Sequence, residues 1–301
     1  MKSNRNPLDG KSNRKGGIPY WEKMKPKADV VRSKVAKKKP TAPSEKNLGW
    51  DDVAQWYEKL VGHEGSDYHQ HVIVPALMKR LGDLRGKRLL DLCCGQGFLG
   101  RILLEAGAQE VLGVDASPQL IAAASERAKA AKKLRYLQAD ASEAGAWADG
   151  SFDFVMCLLA IHDVKNLHGL CANLFASMGQ HGAAYIVMMH PCFRVPQHTH
   201  WGWDVENQLQ YRRVDHYAKE REIVITTHPG KAASEQTIFY HRSFGTIIET
   251  MARCGLVLSG CEELLSHRRS QKGPRSDAEH TAAEEFPMFL MLEVRKQRVL
   301  K

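Results

Sequence analysis

The spacing of apolar residues in this chain changes several times, and each change marks an element. Val53, Trp56, Tyr57, Leu60 and Val61 recur at helical intervals behind Asp51 and Asp52, whose charges suit a helix N-terminus. A second helical pattern runs from about Asp67 through His71, Val74, Leu77, Met78 and Leu81 to Gly82. Short apolar runs then alternate with helical segments. Arg88 to Leu92, Glu110 to Val114, Leu134 to Gln138, Phe152 to Leu158 and Ala183 to Met189 read as strands, and Leu99 to Ala106, Pro118 to Lys132 and Leu167 to Met178 read as the helices between them. Such alternation predicts an α/β fold with a mostly parallel sheet, right-handed crossovers and helices on both faces.

The rhythm breaks over residues 193 to 242, where Trp201, Trp203, Tyr211 and Tyr217 are scattered among charges. Within it Glu222 to Thr227 and Gln236 to His241 alternate around the turn-like Pro229-Gly230-Lys231, which predicts an insertion carrying a β-hairpin. A helix from about Phe244 to Cys254, a strand from Leu256 to Cys261, a polar mobile rim from Ser266 to Glu285 and a last strand from Phe286 to Glu293 complete the pattern.

Charge separates the chain into unequal parts. Residues 1 to 46 hold fourteen Lys and Arg against four Asp and Glu, an excess of ten, so the remainder carries −1 of the total +9. Five prolines interrupt this segment, which predicts a disordered basic tail at 1–46, a folded domain at 47–293 and a short basic end at 294–301. The longest apolar runs are about strand length, which predicts no membrane span, and the N-terminus lacks the apolar core of a secretory signal. The seven cysteines include no C-x-x-C pair, so reduced thiols and a cytoplasmic location are expected. The oligomeric state is not legible.

The first βα turn reads Leu89-Leu90-Asp91-Leu92-Cys93-Cys94-Gly95-Gln96-Gly97-Phe98-Leu99-Gly100. Gly95, Gly97 and Gly100 match G-x-G-x-x-G, in which glycine lets the backbone turn tightly under a ligand at a helix N-terminus. Asp91 discriminates among ligands: a carboxylate four residues before Gly95 would repel a pyrophosphate and attract a cationic group. Asp115 closes the next strand and suits ribose hydroxyls, while Asp140 follows the third and suits an adenine amino group.

These residues resemble the first motif, L-D-x-G-C-G-x-G followed by G-x-D-x-S, of class I S-adenosylmethionine-dependent methyltransferases. The resemblance covers residues 50 to 190 through motifs and 240 to 293 through element order. It implies a Rossmann-like sheet with an N-terminal helical cap, and S-adenosyl-L-methionine as cofactor. By similarity Asp91, Gly95 and Gly97 line the methionine end, Asp115 takes the ribose and Asp140 the adenine edge. Cys93, Ala116 and Ala141 lie beside them, and Leu158 borders the cofactor. Cys93 departs from the pattern, standing where the family usually has its first glycine.

Methyl transfer from a sulfonium is an in-line displacement, so alignment of the acceptor matters most and a base helps when the acceptor loses a proton. His162 and His190, at the ends of the fourth and fifth strands, are the candidate catalytic residues. No metal site is expected, since His190, Cys192, His198 and His200 match no zinc spacing. The near-neutral body and aromatic insertion favour a small-molecule acceptor. The basic tail supports an RNA or ribosome acceptor instead, and the glycine pattern alone would suit an NAD-type oxidoreductase or a non-catalytic nucleotide-binding module.

Overall fold

A computed structural model describes residues 50–226 and 236–297. The basic segment 1–46, the turn at Pro229-Gly230-Lys231 and residues 298–301 lie outside the described residues.

The central sheet has seven strands. Its parallel heart is β1 (Arg88–Leu92), β2 (Glu110–Asp115), β3 (Leu134–Gln138), β4 (Phe152–Leu158) and β5 (Met178–Met189). With β10 (Leu256–Leu264) and β11 (Phe289–Lys296) the spatial order is β10-β11-β5-β4-β1-β2-β3, and β11 runs antiparallel to both neighbours. The order reverses between β1 and β4, and ligands of open α/β sheets bind in the crevice beyond the strand ends at such a switch point. Leu89, Leu90 and Leu92 of β1 are fully buried, as a strand covered on both faces requires.

One face packs against α5 (Leu167–Ser177) and α6 (Phe244–Arg253), through Leu170, Leu174, Ile247 and Met251. The opposite face packs against α1 (Trp50–Val61), α2 (Val74–Leu81) and α3 (Phe98–Glu105), through Val61, Leu77 and Leu103. The fourth helix, α4 (Pro118–Arg127), stops short of the expected Lys132. Its last turn carries Arg127 to Glu58 and Gln96, and bonds among Ala128, Ala131 and Leu134 turn the chain into β3.

Pro75 sits inside the second helical segment and cannot donate to a preceding carbonyl. The helix absorbs this with a π-helical turn at His69–Ile73, which leads directly into α2.

Three further expectations are corrected. The insertion carries two hairpins: β8 (Arg221–Thr226) with β9 (Gln236–His241), as expected, and also β6 (Thr199–Asp204) with β7 (Leu209–Val214). The polar rim contains a helix, α7 (Ser276–Glu285), anchored where Ala282 is buried, Arg275 lies over Trp203 and Phe286 meets Trp201. The last strand begins three residues later than expected and continues through Lys296. Phe286 is drawn to Phe193 and Trp201, Pro287 has no amide to give a ladder, and Val294 to Lys296 belong to the sheet, not to a separate end.

Candidate active site

The crevice at the carboxyl ends of β1, β2 and β4 is built by a turn of unusual backbone. Cys93, Gly95 and Gly97 have φ of 57°, 54° and 76°, all left-handed. Cys93 thus occupies, as a side-chain-bearing residue, a conformation that glycine adopts more easily, which accounts for the family's usual choice there. At Gly97 a side chain is excluded by packing too, since an added Cβ would fall 2.2 Å from the Tyr136 hydroxyl, which donates to the Gly97 carbonyl at 2.9 Å.

Asp115 fastens this turn. Its carboxylate accepts from the Gly95 amide at 2.8 Å and the Ser117 amide at 2.9 Å, which ties the glycine turn to the end of β2. Each oxygen retains a lone pair for a further donor. Asp140 accepts from the Ser142 amide and hydroxyl through one oxygen, both at 2.8 Å, and is exposed at the end of β3. Ala116 is exposed beside Asp115, while Ala141 is buried with its carbonyl held by Asn173 at 2.8 Å. Leu158 ends β4, and Leu159 beyond it is held at φ 53° with its amide on the Val187 carbonyl.

The crevice is acidic and largely buried. Burial and the nearby Asp115 push Asp91 up to about 8. Burial raises Asp115 as well, against the two amides that lower it. Asp163, directly after His162, is raised well above the carboxylate range by burial and Asp115. Sequence reasoning missed Asp163, although its signal was the one used for the others: an acidic residue just past a buried strand. Carboxylates whose ionisation is disfavoured by burial would gain from a cation placed among them. The chemistry of this donor set therefore fits an ammonium and a sulfonium and opposes a pyrophosphate.

Over the crevice lies α1. An added Cβ on Gly95 would meet the Tyr57 ring at 3.0 Å, and the Tyr57 hydroxyl is driven up by burial and by Asp115, Asp163 and Asp91. Asp51 accepts from the Ser117 hydroxyl at 2.7 Å and the Gln119 amide at 3.2 Å, Glu58 pairs with Arg127, and Gln96 donates to the Gly62 carbonyl.

Beside the acidic crevice is a narrow pocket where the insertion meets the ends of β4 and β5. The Tyr240 amide donates to the His162 carbonyl at 2.6 Å, and the Phe239 ring stacks on His162 at 4.6 Å. Arg242 donates to the carbonyls of Ile161, Val164 and Lys165, and so fixes the loop that follows β4. His162 lines the pocket, and its buried Nδ1 has no hydrogen-bond partner. Burial and the Arg242 charge lower His162 to about 3, so the imidazole is neutral.

His190 is placed differently. Its Nδ1 accepts from the Cys192 amide at 3.2 Å and its Nε2 donates to Glu263 at 2.9 Å. Both ring nitrogens are engaged and the ring does not line the pocket, so the two histidines are not brought together.

A Rossmann-like sheet with an antiparallel β11, a glycine turn after β1 and acids at the ends of successive strands defines a methyltransferase of the S-adenosylmethionine-dependent kind. Residues 90–186 match the methyltransferase domain family model. A methyltransferase structure from Mesorhizobium loti is 28% identical with a TM-score of 0.58, covering 74% of this chain and 96% of that one. An uncharacterized protein of Haemophilus influenzae is 24% identical over 260 residues, 82% of this chain and 95% of its own. The ubiquinone biosynthesis O-methyltransferase of Cronobacter sakazakii is 26% identical over 198 residues, 54% of this chain and 77% of its own. Residues 90–186 thus form a methyltransferase domain of the class I S-adenosylmethionine-dependent superfamily, with S-adenosyl-L-methionine as cofactor. Among the described residues no helix is long and apolar enough to cross a membrane.

Proposed function

We propose that the chain methylates a small molecule held in the pocket between His162 and the β8–β9 hairpin. The observation that carries this reading is the unpartnered Nδ1 of His162, buried in a wall of that pocket next to the acidic crevice.

Asp91 and the Gly95–Gly97 turn hold the methionine end of the cofactor, with Cys93 at the turn; Asp115 and Ala116 face the ribose, Asp140 and Ala141 the adenine, and Leu158 borders the reacting end. When bound, the cofactor supplies an electrophilic methyl carbon. His162 orients the acceptor, since a neutral imidazole stacked on Phe239, with its main-chain carbonyl held by the Tyr240 amide, offers its unpartnered Nδ1 at a fixed place. His190 supports the end of β5 through Glu263 and takes no part in the chemistry. That the Cronobacter relative is an O-methyltransferase agrees with an oxygen acceptor.

The test is transfer of label from methyl-labelled S-adenosylmethionine into the small-molecule, RNA and protein fractions of a cell extract. Label in the small-molecule fraction, lost by about 10²-fold or more in His162→Ala with cofactor affinity intact, is the expected result. Label confined to RNA would establish the tail-directed alternative in its place.

A further inference from the structure

Charge is divided unevenly between the two halves of the site. The cofactor crevice holds Asp91, Asp115 and Asp163, whereas the acceptor pocket is lined by Arg194, Arg242 and three polar aromatic rings, with no carboxylate. We infer that the acceptor is a small organic acid whose carboxylate or phosphate is held by Arg194 and Arg242, on a group other than the one methylated. This rests on the pocket being the acceptor site.

Arg242 is only 8% exposed, and among the described residues neither arginine has a carboxylate within ion-pair distance. Glu220 acts on Arg242 only from farther away. Their known partners are neutral: Arg242 donates to three main-chain carbonyls, and Arg194 to those of Phe286 and Pro287 at 3.2 and 3.3 Å. A third cation continues the field. Arg212, which donates to the Phe193 carbonyl and the Thr199 hydroxyl, lies 4.7 Å over the Trp201 ring, and Arg194 lies 5.6 Å over the same ring.

Guanidinium groups held out of water without counter-charge are disfavoured, and burial does lower Arg194, Arg212 and Arg242. An anion in the pocket offsets that cost through charge-assisted bonds. A cationic acceptor such as an alkyl amine would meet the same field as repulsion. The apolar wall of Ile161, Met188, Met189 and Phe239 adds a preference for a hydrocarbon or aromatic body.

Binding can be measured by calorimetry on the full chain saturated with S-adenosylhomocysteine, using benzoate, phenyl phosphate, benzamide and benzylamine as probes. At least one anion should bind about tenfold or more tightly than benzamide, with benzylamine weakest, and whichever anion binds better identifies the acid. Arg194→Gln should remove the advantage and Arg194→Lys restore part of it, with S-adenosylhomocysteine affinity and melting temperature as controls for folding. Should Arg194→Gln fail to fold, the ranking of the four probes on the unaltered chain decides. Equal binding of benzamide and the anions, or no binding of either anion, overturns the inference.

The charge of the labelled product separates this inference from the reading beneath it. A labelled small acid retained on anion exchange supports both. A labelled small amine or neutral product refutes the anionic acceptor and leaves the small-molecule reading standing, while label only in RNA or protein refutes that reading itself.

Discussion

Replacing Asp91 with Asn should stabilise the cofactor-free protein and impair cofactor binding. The two effects share one cause. Asp91 has a folded pKa of about 8 against an ordinary 3.8, so at pH 7 the unfolded chain carries the ionised form and the folded chain retains a proton. Because the folded state binds the extra proton, Asp91 lowers stability progressively as pH rises from about 4 to about 8, and levels off above that. Three units at about 1.36 kcal/mol each set an upper limit near 4 kcal/mol at pH 7, and hydration of the crevice brings the realistic value to about 2. Asn has the size of the neutral acid and does not ionise in either state. The variant should therefore melt about 4–8 °C above the parent at pH 7 and by a smaller margin at pH 5. Cofactor binding moves the other way, because the variant cannot supply a negative charge to the methionine ammonium. Loss of one charge-assisted contact at about 1.5–3 kcal/mol weakens affinity by roughly 10- to 150-fold. The assays are thermal melts of cofactor-free protein at pH 5, 7 and 8.5, and calorimetry with S-adenosylhomocysteine at pH 8.5. A variant that melts below the parent at every pH, or binds cofactor as well as the parent, would refute the reasoning.

Asp115→Ala removes the anchor of two buried amides as well as a ribose acceptor, so both cofactor affinity, by tenfold or more, and stability, by about 1–3 kcal/mol, should fall in calorimetry and urea unfolding. At Cys93, relief of the left-handed backbone and loss of a small half-buried side chain nearly cancel. Cys93→Gly should stay within about 1 kcal/mol of the parent, while Cys93→Val, β-branched at positive φ, should cost about 2 kcal/mol or more in the same unfolding assay. Removal of residues 1–46 should leave cofactor affinity unchanged. Loss of small-molecule turnover on that truncation would show that the basic segment serves the acceptor.

The parallel strands were legible because a strand buried on both faces writes a continuous apolar run, as Leu89-Leu90 and Val155-Met156-Cys157 do. The β6–β7 hairpin was not, because Trp201 and Tyr211 remain exposed and Gly202 interrupts the alternation. The α7 segment has too few apolar residues to announce a face, and its position depends on Trp201 and Trp203, about eighty residues earlier in the chain. Within the site, the acids that end or follow β1, β2 and β3 lie across the sheet in chain order, whereas Asp163 follows β4 on the other side of β1 and stands outside that series. The roles of the histidines were not legible. His190 is occupied by Glu263, which reaches it from β10, and His162 is held neutral by burial, with Arg242 adding to the effect from the end of the insertion.

The fastening of α1 over the crevice bears on traffic. Asp51, Glu58 and the Gly62 carbonyl each hold the helix to the α/β body through partly buried polar bonds, while Tyr57 projects inward over Gly95. These bonds must open before the helix can lift, and their opening need not unfold the sheet behind it. With the cofactor held beneath this cover as proposed, its residence time follows the opening of the cover and its affinity the carboxylates below. Substitutions at Asp51 or Glu58 would change how long a cofactor stays and how fast its spent form leaves, in similar proportion to how fast a fresh one arrives, with little change in occupancy at equilibrium.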